Sequence, residues 1–199
     1  MSNYTNITLY GVTQEEAADW CAENGVVGYI SPTVDDVTVL YENTLAENAH
    51  LPQPLEALLA RAATMSAALM SPALVSVVMK DHMFMYVLYL DGGMKDSYMS
   101  YTDKPPANGS TDILVRTFDA EGEEARVTAA LRREYISAAS ERHMELMDAL
   151  ALPPMMIDMG FAYLEEGEKP HGVEDNNDVI FIGPPNDAEG ASDDGDIEG

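Results

Sequence analysis

The stretch ITLYGVTQEEAADWCAENGVVGYISPTVDDVTVLY, Ile7 to Tyr41, decides the fold class. Ile7 to Val12 alternates as a β-strand does, and Thr13-Gln14-Glu15-Glu16 then reads as a capping box, in which the Thr13 hydroxyl and the Glu16 carboxylate each satisfy a backbone N–H of the other. Ala17, Trp20 and Cys21 recur at i, i+3 and i+4, so one apolar face of a helix runs on to about Asn24-Gly25. Gly25 ends that helix. Val26 to Ser31 and Val37 to Tyr41 form a strand pair joined through Pro32 and an Asp35-Asp36 turn. The order is β-α-β-β.

Outward from this unit, Pro52 and Pro54 mark the start of a second amphipathic helix, Leu55 to Leu69, with Leu55, Leu58, Leu59, Ala62 and Ala63 on one face. Three β-type runs follow, Ala73 to Met79, Met83 to Leu90 and Met94 to Tyr101, the last two joined by a tight Asp91-Gly92-Gly93 turn. Residues 102–111 read as a surface loop and Asp112 to Phe118 as a short helical turn. Glu123 to Ser137 is a helix, Ala138 to Leu150 its continuation or successor before Pro153-Pro154, and Ile157 to Leu164 an edge strand. The expectation is an α+β fold, a mixed, mainly antiparallel sheet flanked by helices.

The 199 residues, 46% of them apolar, support one core. Residues 1–170 are expected to form a single domain, 171–183 a docking segment or linker, and 184–199 a disordered acidic tail with little to bury. Val179 to Ile182 is apolar enough to be a short strand or a peptide that pins the tail to the body. No basic flank followed by an apolar run stands near Met1, and Ala67 to Met79, the longest apolar-rich stretch, is broken by Ser71 and Pro72. A cytoplasmic protein with no membrane contact is expected.

Thirty-five acids against ten Lys and Arg give a formal charge of −25, which repels nucleic acid phosphates and anionic membranes. The imbalance is greatest over residues 165–199, with 12 acids against Lys169. The single cysteine, Cys21, rules out an intrachain disulfide and a Cys-rich zinc site, and beside Trp20 on a buried helix face it reads as a core residue.

Motifs with mechanical content are absent: no phosphate-binding glycine loop, no nucleophile elbow, no zinc-binding His pair on a helix. Their absence weighs against an enzyme, and no cofactor or metal is expected. Asp175-Asn176-Asn177-Asp178 lacks the glycine and the distal glutamate of a calcium loop. His143 shares an apolar stripe with Val127, Leu131, Tyr135, Ala139, Leu146 and Leu150, which turns it to the core; Glu141, Arg142 and Glu145 beside it leave open a proton-transfer pair. His82 belongs in a strand turn, His50 and His171 in loops.

The most distinctive segment is Met79 to Tyr101, where ten of 23 residues are Met, Phe or Tyr. Met83 to Leu90 is apolar on both alternating faces, so either helices cover both or a partner covers one. Met and Tyr are adaptable interface residues, which makes Met83, Met85, Tyr86, Tyr89, Tyr98, Met99 and Tyr101 the candidate partner-binding set.

Val26 to Tyr41, the Met83 to Tyr101 hairpin, Glu141-Arg142-His143 before Leu152-Pro153, and Phe161 to Glu168 resemble a group of uncharacterised bacterial α+β proteins over residues 6–170. The resemblance implies a shared fold and a bacterial cytosolic origin, and supplies no catalytic residue. The expected function is a non-enzymatic acidic interaction module, of inhibitor, immunity or adaptor type, that binds a basic protein partner. Mimicry of nucleic acid toward a DNA- or RNA-binding protein is the alternative. A small ligand-binding domain or hydrolase, its pocket framed by the Tyr and Met hairpin near His143 or His82, is a further one.

Overall fold

A computed structural model describes residues 2–43, 52–175 and 178–183. In chain order its elements are β1 (Tyr4–Tyr10), α1 (Gln14–Glu23), β2 (Gly28–Ile30), β3 (Val37–Glu42), α2 (Pro52–Ala68), β4 (Ala73–Met79), β5 (Met83–Leu90) and β6 (Gly93–Tyr101). There follow β7 (Lys104–Asn108), α3 (Thr111–Thr117), α4 (Glu124–Arg132), α5 (Ala139–Ala149), a 3-10 turn (Pro154–Met156), α6 (Phe161–Glu165) and β8 (Ile180–Ile182).

One eight-stranded sheet runs in the order β7-β6-β5-β4-β1-β3-β2-β8, and every pairing is antiparallel. Its middle, β4-β1-β3-β2 with α1 and α2 as crossovers, is the β-α-β-β-α-β arrangement of ferredoxin-like sheets. The Met- and Tyr-rich meander β5-β6-β7 extends one side, and β8 extends the other.

Alternation assigns the two faces. Ile7, Leu9, Leu40, Val75 and Val87 pack under α1 and α2, with Ala17, Trp20, Leu58 and Met65 above them. Tyr4, Val39, Tyr41, Leu74, Phe84 and Tyr86 face the C-terminal helices, meeting Leu114, Leu131, Leu146 and Met155. The α1 capping box forms as expected: Thr13 Oγ1 accepts from the Glu16 N–H at 3.2 Å, and the Thr13 N–H donates to Glu16 Oε2 at 2.9 Å.

Three expectations are corrected. Within the expected loop 102–111, β7 pairs with β6. Its Pro105 and Pro106 lack the N–H a central strand needs, and the sheet edge is where they are tolerated. Ile157 to Leu164 is not a strand but crosses the sheet face and ends in α6. Inner-face polar groups hold it there: Asn6 Nδ2 donates to the Met156 and Met159 carbonyls at 2.8 and 3.0 Å, and the Tyr41 hydroxyl to the Met155 carbonyl at 2.9 Å. Each such bond contributes roughly 1 kcal/mol, and a buried Asn6 left without them would cost more. Finally, the helix expected over Glu123 to Ser137 stops at Arg132. The buried Arg142 guanidinium takes the terminal carbonyls, donating to Ala130 O at 2.8 Å and to Arg133 O.

Among the described residues no helix is long and apolar enough to cross a membrane. The expected tail over 184–199 and His50 lie outside the described residues.

Candidate interaction surface

His143 lies on the inner face of α5 and is fully buried, as its spacing from Ala139, Leu146 and Leu150 predicts, whereas Tyr135 of the same stripe falls between α4 and α5 and is 75% exposed. Its ring stacks on Phe84 at 4.8 Å and on Tyr4 at 5.8 Å, and Nδ1 lies 2.9 Å from the Tyr4 hydroxyl. Burial pushes its pKa down to about 3, so the imidazole is neutral. The neighbouring carboxylates turn away: Glu141 pairs with Arg133 at 3.0 Å, and Glu145 pairs with the same guanidinium. The arrangement is that of a packing residue with one hydrogen bond.

His82 lies elsewhere, in the β4–β5 turn, half exposed and 3.5 Å from the Asp103 carboxylate. A groove of about 240 Å³ between α1 and α2 is lined by Trp20, Asn24, Ala57, Ala60, Arg61 and Thr64, and it contains neither histidine. Cys21 is fully buried, and desolvation pushes its thiol up to about 12.

The Met and Tyr hairpin divides by strand alternation. Tyr86 and Tyr98 face the C-terminal helices in the core, stacked 5.3 Å apart. Their hydroxyls are used internally: Tyr86 donates to Asp96 at 2.7 Å and Tyr98 to the Leu131 carbonyl at 3.0 Å. Met83, Met85, Tyr89, Met99 and Tyr101 lie on the α2 side, where the register sets Met83 against Tyr101 and Met85 against Met99. Met85 and Tyr89 are covered, Met83 and Tyr101 half-buried, and Met99 is 36% exposed. Lys80, Lys95 and Lys104 accompany Asp81, Asp91, Asp96 and Asp103 here, so this end of the sheet is close to balanced in charge.

The opposite end is not balanced. α1 lies against β2, β3 and β8 and exposes Glu15, Glu16, Asp19 and Glu23, with no basic residue in its last turn. On the other face α6 packs on β1 and β2 and ends at exposed Glu165 and Glu166. Glu168, Glu174, Asp175 and Asp178 follow, with Lys169 the single cation between α6 and β8 among the described residues.

Gln14 ties the two sides together, its side-chain amide donating to the Ile30 carbonyl at 3.2 Å and to the Asp178 carbonyl at 2.6 Å. Between these acids stand exposed apolar groups, Ile180 at 38% and Phe181 at 41%. Phe181 packs on Tyr29 at 5.1 Å, and Tyr29 on Phe161 at 5.2 Å. Burial first, and then the Glu165 carboxylate, hold the Tyr29 hydroxyl above its ordinary pKa.

An apolar strip inside a charged rim is the general anatomy of a protein interface. The apolar run Val179 to Ile182 was legible as a strand or docking peptide, but no sequence signal tied it to β2, 150 residues earlier in the chain by the Ile30↔Ile180 pairing. No family model, curated protein or solved structure matches the chain.

Proposed function

We propose that this chain is a non-enzymatic interaction module of inhibitor, immunity or adaptor type, acting in the cytoplasm, that binds a basic protein partner at its acidic sheet edge. The observation that supports this reading is the two-sided rim. Carboxylates of α1 on one face of the sheet, and those of α6 and the segment after it on the other, flank exposed Ile180 and Phe181, with Lys169 the one lysine or arginine in that segment among the described residues. Such a field speeds encounter with a basic surface and makes the encounter sensitive to salt, while the apolar strip supplies the part of the contact that salt does not screen.

The test is retention of proteins from the source lysate by the immobilised full chain, at low and at high ionic strength, beside the charge-reversed variant Glu15→Lys/Asp19→Lys. A basic protein held at low salt by the parent and released by the variant is expected. Equal retention by both would overturn the assignment to this edge, and no specific retention at low salt would overturn the reading itself. Mimicry of nucleic acid has one favourable observation, that the α1 carboxylates are borne on a capped helix packed on the sheet. Displacement of the captured partner by duplex DNA or by RNA would identify it.

A further inference from the structure

The two edges of the sheet differ in a way that points to how a partner is held. β7 closes one edge with Pro105 and Pro106, whose nitrogens have nothing to donate, and proline is among the devices that keep edge strands from pairing. β8 closes the other edge with Ile180-Phe181-Ile182, which has no proline, no lysine and no bulge.

The direction of its backbone groups follows from its neighbours. Val27 O accepts from the Asn43 N–H at 3.0 Å, and the Ser31 N–H donates to Val39 O at 2.9 Å, so the odd-numbered residues of β2 serve β3. Gly28 and Ile30 therefore serve β8 and meet Ile182 and Ile180. Alternation then turns the N–H and C=O of Phe181 away from the sheet, where no described strand pairs with them.

We infer that the outer edge of β8 receives an extended, Lys- or Arg-rich segment of the basic partner as a ninth antiparallel or parallel strand. This inference rests on the partner's being basic, as proposed above. Main-chain hydrogen bonds to Phe181 supply the docking, as in other strand-addition complexes. On such a strand, alternate side chains fall on the face that carries Ile180 and α1, the helix that exposes Glu15 and Asp19, and on the α6 face, where Phe181 and Tyr29 offer aromatic rings near Glu165. A cation meets acid on either face and an aromatic ring on one of them. The same rim discriminates against a second copy of this chain, because pairing β8 with β8 would bring two sets of acids together.

The probe is the peptide acetyl-Lys-Val-Lys-Val-Lys-Val-Lys-amide, titrated into the isotopically labelled full chain at low salt. Its control is the same sequence N-methylated throughout, which keeps charge and side chains and removes the donors. Expected are amide shifts centred on Ile180–Ile182 and binding by the control that is weaker by about tenfold or more. Equal binding of both peptides would overturn strand addition while leaving charge attraction, and so the partner reading, intact. Shifts confined to β7 or elsewhere, no binding of either peptide, or pairing of β8 with a second copy would also overturn strand addition. The lysate experiment decides the partner reading independently of all four.

Discussion

The buried imidazole of His143 makes the stability of the fold depend on pH in a way that can be worked out beforehand. The folded group has a pKa of about 3, whereas in the unfolded chain it returns to its ordinary value of about 6.5. A base whose folded pKa is depressed contributes in full above the unfolded value and loses that contribution as the pH falls from 6.5 toward 3. At about pH 5 the unfolded chain holds the proton almost completely and the folded chain hardly at all. The loss relative to about pH 7.5 is then about 2 kcal/mol, growing to about 4 kcal/mol near pH 3.

Carboxylates titrate over part of this range too, and the comparison with His143→Phe cancels them. That variant keeps a ring against Phe84 and leaves the Tyr4 hydroxyl without its 2.9 Å partner, a cost that does not vary with pH. Urea unfolding of both proteins at the two pH values should show the wild-type stability falling by about 2 kcal/mol more than that of the variant. The imidazole resonances of His143 in the folded wild type should not titrate between the two pH values. Parallel stability profiles, or a His143 resonance that titrates near 6.5, would refute the burial argument.

Other features give shorter tests. Glu15, Asp19 and Glu23 stand at i, i+4 spacing on α1, so Asp19→Asn removes two like-charge pairs and should stabilise by roughly 0.4–1 kcal/mol at low salt, an increment that thermal unfolding in high salt should erase. At Gly109, with φ +77°, an added Cβ would come within 2.8 Å of the Tyr98 ring and 3.1 Å of the Tyr86 hydroxyl; Gly109→Ala should cost roughly 3 kcal/mol by chemical denaturation. Cys21, with its thiol pushed up to about 12, should react with a disulfide reagent only as fast as the protein opens, and at once in denaturant; rapid labelling of the native chain would contradict its burial.

The sequence made the central unit readable because local signals agreed there: the Thr13–Glu16 box, the Ala17, Trp20, Cys21 face and the strand pair beyond Gly25 all appear as expected. His143 was legible for the same reason, since helical spacing alone turns it inward. Where long-range bonds overrule local pattern the expectations failed. Ile157 to Leu164 alternates well enough for a strand, yet Asn6 and Tyr41, more than a hundred residues away, bind the backbone that leads into it. Pro105 and Pro106 argue for a loop unless the strand is known to be an edge. The candidate surface was half legible: the acids of α1 and of the segment after α6 are plain in the sequence, but that they flank one edge depends on β8 pairing with β2. The alternation within the hairpin showed two apolar faces without showing that Tyr86 and Tyr98 would be enclosed by α3, α4 and α5.

The measurement that bears most directly on the acidic edge as a binding surface is the pair of rate constants for the captured partner, followed over a range of ionic strength. The full chain would be compared with Glu15→Gln/Asp19→Asn/Glu165→Gln, three exposed carboxylates drawn from both sides of β8. Screened charge acts mainly on encounter. Association should therefore be slower in the variant and should vary less steeply with salt, with dissociation changed far less. An association rate and salt dependence identical in the two proteins would contradict the account.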